Sequence, residues 1–214
     1  AVVVDNTSVF RMEPDIPLVV PEVNAREIAN YKIRGIVANP NCTTTGLVLA
    51  LAPLERQFGV DRLFVSTMQA VSGAGWPGVA SLDIAGNVIP YIVGEEEKVE
   101  RETRKILGRL NGNDVVDAEA LVSAHTNRVP VIDGHMETVS IGFRQPASPE
   151  EVASTLDRWR PEPLIAGLPS SPERPVLVDT RPDRPQPRLD LERGGGMSVV
   201  VGRIRRCPLL HIRF

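Results

Sequence analysis

The residues able to do chemistry in this chain gather around one cysteine. Residues 39–46 read NPNCTTTG, so Cys42 stands between an Asn-Pro-Asn turn and a threonine run that opens into the apolar stretch LVLALAPLERQF. Leu47, Ala50, Leu51, Leu54 and Phe58 recur at helical spacing, which predicts a helix from Thr43 to about Phe58 with the thiol at its first turn. Unpaired backbone N–H groups and the positive end of the helix dipole favour thiolate over thiol at that position, which makes a nucleophile. The competing reading is a small apolar cysteine packed under the turn. Asn41 and the hydroxyls of Thr43 and Thr44 favour the nucleophile, because they offer donors to an incoming carbonyl oxygen or phosphate.

A thiolate nucleophile needs a proton partner, and the histidines are His125, His135 and His211. RVPVIDGH sets His135 directly after Gly134, where a glycine lets the backbone come close to a site, and this makes it the best candidate. Arg128 precedes it in the same stretch and could clamp a substrate carboxylate through its planar fork. His125 and His211 read as locally satisfied side chains. SGAG at 72–75 could bring backbone N–H groups near an anion. It is not the dinucleotide fingerprint, which needs G-x-G-x-x-G between a strand and a helix of a βαβ unit.

These residues need elements to hold them. Residues 1–4 read as a buried strand, VPEVN at 20–24 ends a loop rich in proline and acids, and GIVAN leads as a short strand into the Cys42 turn. Residues 62–73 alternate as a strand, and EEEKVERETRKIL at 95–107 is a helix with acids early and bases late. ALVSAHTNRVPV and ETVSIGFR are strands separated by IDGH, and PEEVASTLDRW is an amphipathic helix behind a Ser-Pro cap signal. The Pro-rich stretch from Arg160 to Pro187 is expected to be irregular surface chain, with GMSVVVGRIRR as a closing strand. Strands that outnumber helices without regular interleaving predict an α+β fold, with a mostly antiparallel or mixed sheet carrying helices on one face.

Composition sets the outer bounds. With 42% hydrophobic residues the 214-residue chain can fill a core, and a net charge of −3 offers no basic patch for nucleic acid. No run reaches the ~18 apolar residues that span a bilayer, so no membrane is expected. Two cysteines make no disulfide framework, and a reducing cytoplasm is the expected location. A start on AVVVDNTS without an initiator Met, and a stop inside the apolar LLHIRF, lead us to expect residues missing at both ends.

DNTSVFRMEPDIPLVVPEVN, NPNCTTTG, STMQAVSGAG, GEEEKVERETRKILG, NRVPVIDGHMETV and RPQPRLD followed by GMSVVVGR occur in collinear order. Together they resemble the aspartate-semialdehyde dehydrogenase family in its archaeal and fungal branch. The resemblance implies an N-terminal Rossmann domain for NADP and a C-terminal domain, like that of glyceraldehyde-3-phosphate dehydrogenase, for catalysis and dimerisation. Residues 1–40 would be the end of the nucleotide-binding domain and the crossover, and residues 41–214 the catalytic and dimerisation domain, without the family's C-terminal helix. The Gly-rich nucleotide loop is absent.

The resemblance also implies roles. Cys42 would be the nucleophile, His135 the acid/base, and Gln69 would orient a thioester carbonyl. Arg128 would bind the substrate α-carboxylate, Glu102 and Lys105 the amino group and the phosphate, Arg11 and Asn41 the phosphate again, and Ser72 and Gly73 the cofactor. No metal is expected. The implied reaction is NADP-dependent reductive dephosphorylation of 4-phospho-L-aspartate to L-aspartate 4-semialdehyde, on the way to lysine, threonine, methionine and isoleucine, by a homodimer or tetramer. Malonyl-CoA or succinyl-CoA reductases, which keep the Cys and His, are one alternative, although ETRK and Arg11 speak for a phosphate. A non-catalytic dimerisation fragment is the other.

Overall fold

The computed structural model describes residues 1–112 and 114–214. The strand β1 (Val3–Asp5) leads through the short helix α1 (Pro21–Asn24) and a 3-10 segment to β2 (Ile36–Ala38), with which it pairs in parallel. The opening strand exists but is not buried. Val2, Val3 and Val4 are 54%, 52% and 72% exposed, because among the described residues a two-stranded ribbon has no further layer packed over these side chains.

The long helix α2 (Cys42–Phe58) starts where Asn41 accepts the Thr44 N–H and ends at Gly59, whose φ of 66° suits glycine. Leu47, Val48, Ala50, Leu51 and Leu54 are buried along it. The strand β3 (Val60–Gln69) follows at once and ends before the predicted boundary, since Val71–Ala74 turn as a 3-10 segment. Then come α3 (Ser81–Ile84), α4 (Glu95–Ile106) and a hairpin of β4 (Arg109–Asn111) with β5 (Asp114–Val116). The strands β6 (Leu121–Arg128) and β7 (Met136–Phe143) match the two predicted runs. Helix α5 (Pro149–Arg158) begins at a reciprocal capping box between Ser148 and Glu151.

The Pro-rich stretch is more ordered than its composition suggests. It contains α6 (Pro163–Ala166) and β8 (Val176–Asp179), with Val176 fully buried, and it runs into α7 (Pro187–Asp190). Prolines sit at helix starts and outside the strand, where a missing N–H does no harm. The closing run is also broken in two. β9 (Val199–Gly202) pairs in parallel with β8, then Arg203 at φ 57° turns the chain into β10 (Arg205–Arg206) and β11 (Ile212–Arg213).

The main sheet has the order β10-β11-β7-β3-β6, with β3 and β6 parallel and the other pairs antiparallel. Leu63, Val65, Ala124, Val139, Ile141, Phe143 and Ile212 form one core with α2, α4 and α5. Residues of opposite parity, such as Phe64 at 39% and Leu121 at 65% exposure, face away from it. This is the α+β, mixed-sheet arrangement with helices on one face. The registers bring Gln69 opposite Arg128 and Met68 opposite Met136, so two strand ends and one strand start meet at a single edge. The site is built there.

Leu51 is fully buried in this core and Leu164 is 80% exposed. Leu51→Ala is expected to lower unfolding free energy by roughly 2–5 kcal/mol, and Leu164→Ala to change it by less than about 0.5 kcal/mol. Denaturant unfolding of the two variants measures the contrast.

Candidate active site

Cys42 is the first residue of α2, and its Sγ lies 3.2 Å from His135 Nε2. His135 sits just ahead of β7, and its Nδ1 accepts the Ala70 N–H at 3.0 Å, just past the end of β3. Arg128, the last residue of β6, donates Nη1 to the Ala70 carbonyl at 2.7 Å. Gly73 closes the group, since a Cβ there would come within 2.9 Å of both His135 Cε1 and Arg128 Nη1. The bare backbone makes room for the ring and the guanidinium together.

Behind the cysteine, α4 supplies a buried polar face. Glu95 accepts Asn41 Nδ2 at 2.6 Å and Gln69 Nε2 at 3.1 Å, and Gln69 Nε2 also bonds the Thr43 hydroxyl. Two turns on, Glu102 accepts the Asn41 N–H at 2.7 Å and Arg11 Nη1 at 3.0 Å. Lys105 gives its three protons to the carbonyls of Arg11, Glu13 and Ile16, at 2.8, 2.7 and 3.0 Å.

A cavity of about 600 Å³ opens in front of the thiol, lined by Cys42, Ser72, Gly73, His135, Glu137 and residues of the 185–202 segment. Of the residues singled out in the sequence, Cys42, His135, Ser72 and Gly73 meet at this wall. Asn41, Gln69 and Arg128 lie buried directly behind it. Arg11, Glu102 and Lys105 form a buried stack further back, paired with one another or with backbone. Thr43 and Thr44 are fully buried and point inward, so their hydroxyls do not face the cavity as expected. The helix rotates them under the first turn, where Gln69 and Asn41 take their bonds.

Sequence reasoning missed Glu95 and Glu137. Glu95 shares a helix face with Val99, Glu102 and Ile106, all buried, so a seven-residue repeat of Glu on an apolar face was the available signal. Glu137 follows the core-facing parity of Val139, Ile141 and Phe143 on β7, which marked it as a carboxyl on the wrong face.

Opposing influences act on both members of the pair. Although Cys42 is exposed at the cavity mouth, the protein packed around its sulfur, and next the Glu95 carboxylate, push the thiol up from its ordinary range, against the backbone and side-chain hydrogen bonds that favour thiolate. Burial and the Arg128 guanidinium hold His135 below the ordinary histidine range. Burial works to raise Glu95, but Asn41, Gln69 and Lys98 outweigh it and keep the carboxylate ionised. Burial raises Glu102 despite Asn41 and Arg11, and lowers Lys105 despite nearby acids.

A nicotinamide end fits the residues present. Ser72 and the Cβ-less Gly73 form the cavity wall beside Cys42 and His135. Gly73, Gly75 and Gly78 even have G-x-G-x-x-G spacing, but the chain runs from a 3-10 turn into loop and not into a long helix, so no phosphate cradle forms. Among the described residues no cluster of three His, Cys, Asp or Glu side chains could hold a metal ion, and no helix is long and apolar enough to cross a membrane.

Burial alone lifts Glu137 to about 8. The folded chain then keeps a proton that the unfolded chain loses, so stability falls as pH rises from the ordinary carboxylate range to about 8. Glu137→Gln removes that decline. Thermal unfolding is expected to give similar midpoints for parent and variant in acid, with the variant the more stable at about pH 8 and above.

Comparison with known proteins agrees with this geometry. A family model described as semialdehyde dehydrogenase, dimerisation domain, matches residues 51–213, and one described as semialdehyde dehydrogenase, NAD binding domain, matches residues 1–31. Aspartate-semialdehyde dehydrogenase of Archaeoglobus fulgidus is 49% identical over 96% of the chain and 61% of its own length. That of Cryptococcus neoformans is 46% identical over 100% of the chain and 63% of its own length. The solved structure of the Candida albicans aspartate semialdehyde dehydrogenase with NADP superposes with a TM-score of 0.88 at 42% identity, over 98% of this chain and 63% of that one. The chain thus spans about three fifths of the length of the curated relatives it matches. A helix-borne cysteine facing a histidine, on the sheet of a matching dimerisation domain, leads to one conclusion: the chain belongs to the semialdehyde dehydrogenase family.

Proposed function

We propose that this chain is the catalytic and dimerisation part of an NADP-dependent aspartate-semialdehyde dehydrogenase, acting on 4-phospho-L-aspartate to give L-aspartate 4-semialdehyde in amino-acid biosynthesis. Residues 1–40 are then the end of the nucleotide-binding domain and the crossover, and residues 41–214 the catalytic domain. The observation that carries the reading is the 3.2 Å approach of Cys42 Sγ to His135 Nε2 at the mouth of a cavity. The relatives' names support an acyl phosphate over a CoA thioester, and a Vibrio cholerae relative, aspartate semialdehyde dehydrogenase II, 33% identical with a TM-score of 0.79, was solved complexed with ASA.

The Cys42 sulfur attacks the acyl carbon of the substrate, and phosphate leaves with the bonding electron pair, giving a thioester on the enzyme. Ser72 and Gly73 would hold the nicotinamide end of NADP, which in its reduced form would supply the hydride that takes the thioester to the aldehyde. His135 Nε2 lies 3.2 Å from the sulfur, where it would take the thiol proton as the S–C bond forms and give it back to the acyl oxygen in the reduction step. Gln69, locked by Thr43 and Glu95, and Asn41 hold the cysteine turn from behind. Arg128 keeps donors beyond the one on Ala70, which suits a bidentate grip on the α-carboxylate. Arg11 and Lys105 are tied within the protein, so either touches phosphate only by exchanging partners.

The sheet face away from the helices, with Phe64, Met68 and Leu121, supports a homodimer through that surface, and a tetramer would be a pair of such dimers. Both cysteines are free, which accords with a cytoplasmic location.

The test is an assay of the full-length protein with NADPH and three acyl donors. 4-Phospho-L-aspartate is expected to be reduced, malonyl-CoA and succinyl-CoA poorly, and Cys42→Ala is expected to lose turnover about 10⁴-fold or more. Preference for a CoA thioester, or survival of activity without the thiol, sinks the reading. In the same protein Arg128→Lys is expected to lower turnover by roughly 10–100-fold, since an ammonium cannot reproduce the planar fork. Unchanged steady-state kinetics would remove Arg128 from the substrate.

A further inference from the structure

One wall of the cavity in front of Cys42 is built without a backbone ladder. Pro185, Gln186, Pro187, Asp190 and Leu191 face that cavity, and all belong to the segment that enters and leaves α7. Among the described residues, the backbone hydrogen bonds of residues 182–191 stay within residues 181–191. Nothing in the main chain fastens this wall to the sheet. Two glycines only seat it. A Cβ at Gly202 on β9 would collide with the Arg184 carbonyl oxygen, and one at Gly134 would lie 3.0 Å from Pro187 Cβ and 3.4 Å from Leu191 Cδ1. Bare backbone thus lets the segment settle on β9 at one end and on the turn before His135 at the other.

What keeps the segment seated is a carboxylate. Asp190 is 5% exposed, and it accepts Arg184 Nη1 on Oδ1 at 2.7 Å and the Gln186 N–H on Oδ2 at 2.7 Å. Those two bonds fold the segment onto itself. Arg193 then carries the tie outward, since its Nη1 stands 3.6 Å from Asp190 Oδ1 and donates to Asp179 Oδ2 at 2.8 Å, at the end of β8. Arg181 also bonds Asp179, but the ion pairs of its guanidinium end there and its side chain is 53% exposed.

We infer that Asp190 is a positioning residue for the site: joined through Arg193 to Asp179, it holds α7 against the Gly134 turn and so sets how wide the cavity stands in front of Cys42. The inference goes beyond the function proposed above and rests on it only for the choice of acyl donor. Removing one partner of a buried ion pair leaves an uncompensated charge or an open gap, and this segment has no ladder to fall back on. The main sheet, whose order is β10-β11-β7-β3-β6, does not run through it. Loss of the tie therefore frees the wall and leaves the sheet whole.

The test uses the full-length protein with Asp190→Asn, Arg193→Met and, as a control, Arg181→Met. Cys42 is labelled with N-ethylmaleimide and with the much bulkier fluorescein maleimide, adducts are mapped to the residue, and the ratio of the two rates is taken. Both reagents use the same chemistry, so the ratio reads access and not the reactivity of the thiol. The bulky-to-small ratio is expected to rise at least about threefold in Asp190→Asn and Arg193→Met and to stay at the parent value in Arg181→Met. An unchanged ratio in Asp190→Asn overturns the inference, and so does an equal rise in Arg181→Met. In the second readout, kcat/KM for 4-phospho-L-aspartate is expected to fall roughly tenfold in the first two variants, mostly through KM, as when a binding wall is lost. A loss confined to kcat, or no loss, overturns it as well. If Asp190→Asn does not fold, Arg193→Met decides alone, because it keeps the bonds of Asp190 to Arg184 and Gln186. If the protein reduces no acyl donor, the functional reading falls while the labelling ratio still decides what holds the wall.

Discussion

The molecule hangs on the way Asn41 is held. Its backbone N–H goes to Glu102, its amide nitrogen to Glu95 and its amide oxygen to the Thr44 N–H. One residue is thus fixed at three points by two turns of α4 and by the helix it caps. Each of those contacts is buried, so none can be exchanged for water, and a lost partner would leave a desolvated acceptor or donor. The next residue is Cys42. Its direction of approach to His135 follows from this clamp more than from any contact of its own.

The clamp has an electrostatic side effect. The ionised Glu95 carboxylate that positions the turn also discourages negative charge on the sulfur beside it. Helix-terminal N–H groups pull the other way but are outweighed by burial and by that carboxylate. Reactivity therefore draws on the histidine that faces the sulfur at 3.2 Å. The contact that fixes the position of the thiol is also the one its charge must work against.

Much of this was legible from spacing alone. The periodicity of Leu47, Ala50, Leu51 and Leu54 gave α2, the charge gradient gave α4, and two alternating runs around IDGH gave β6 and β7. Cys42 and His135 stood out because a thiol at a helix start and a histidine after glycine are both unusual placements. What stayed hidden was directional or long-range. Thr43 and Thr44 look like donors in a string of letters, yet the helical turn carries them inward. Composition hid β8, since the prolines around it mask a short buried strand whose partner lies about twenty residues on. The burial of Val3 and Val4 was overestimated, because apolar residues on a two-stranded ribbon need a third layer that β-branching cannot supply.

Lys105 invites a last consequence. Three carbonyls converge on its ammonium from the loop between Arg11 and Ile16. An ammonium has three protons in a threefold array, whereas guanidinium protons lie in one plane, so this pocket accepts lysine and rejects arginine despite equal charge. Among natural variants of the chain, then, this position should be restricted to a single amino acid for reasons of valence geometry, whereas Arg104 beside it, exposed on the same turn with one side-chain bond to the Ala118 carbonyl, is held far less tightly.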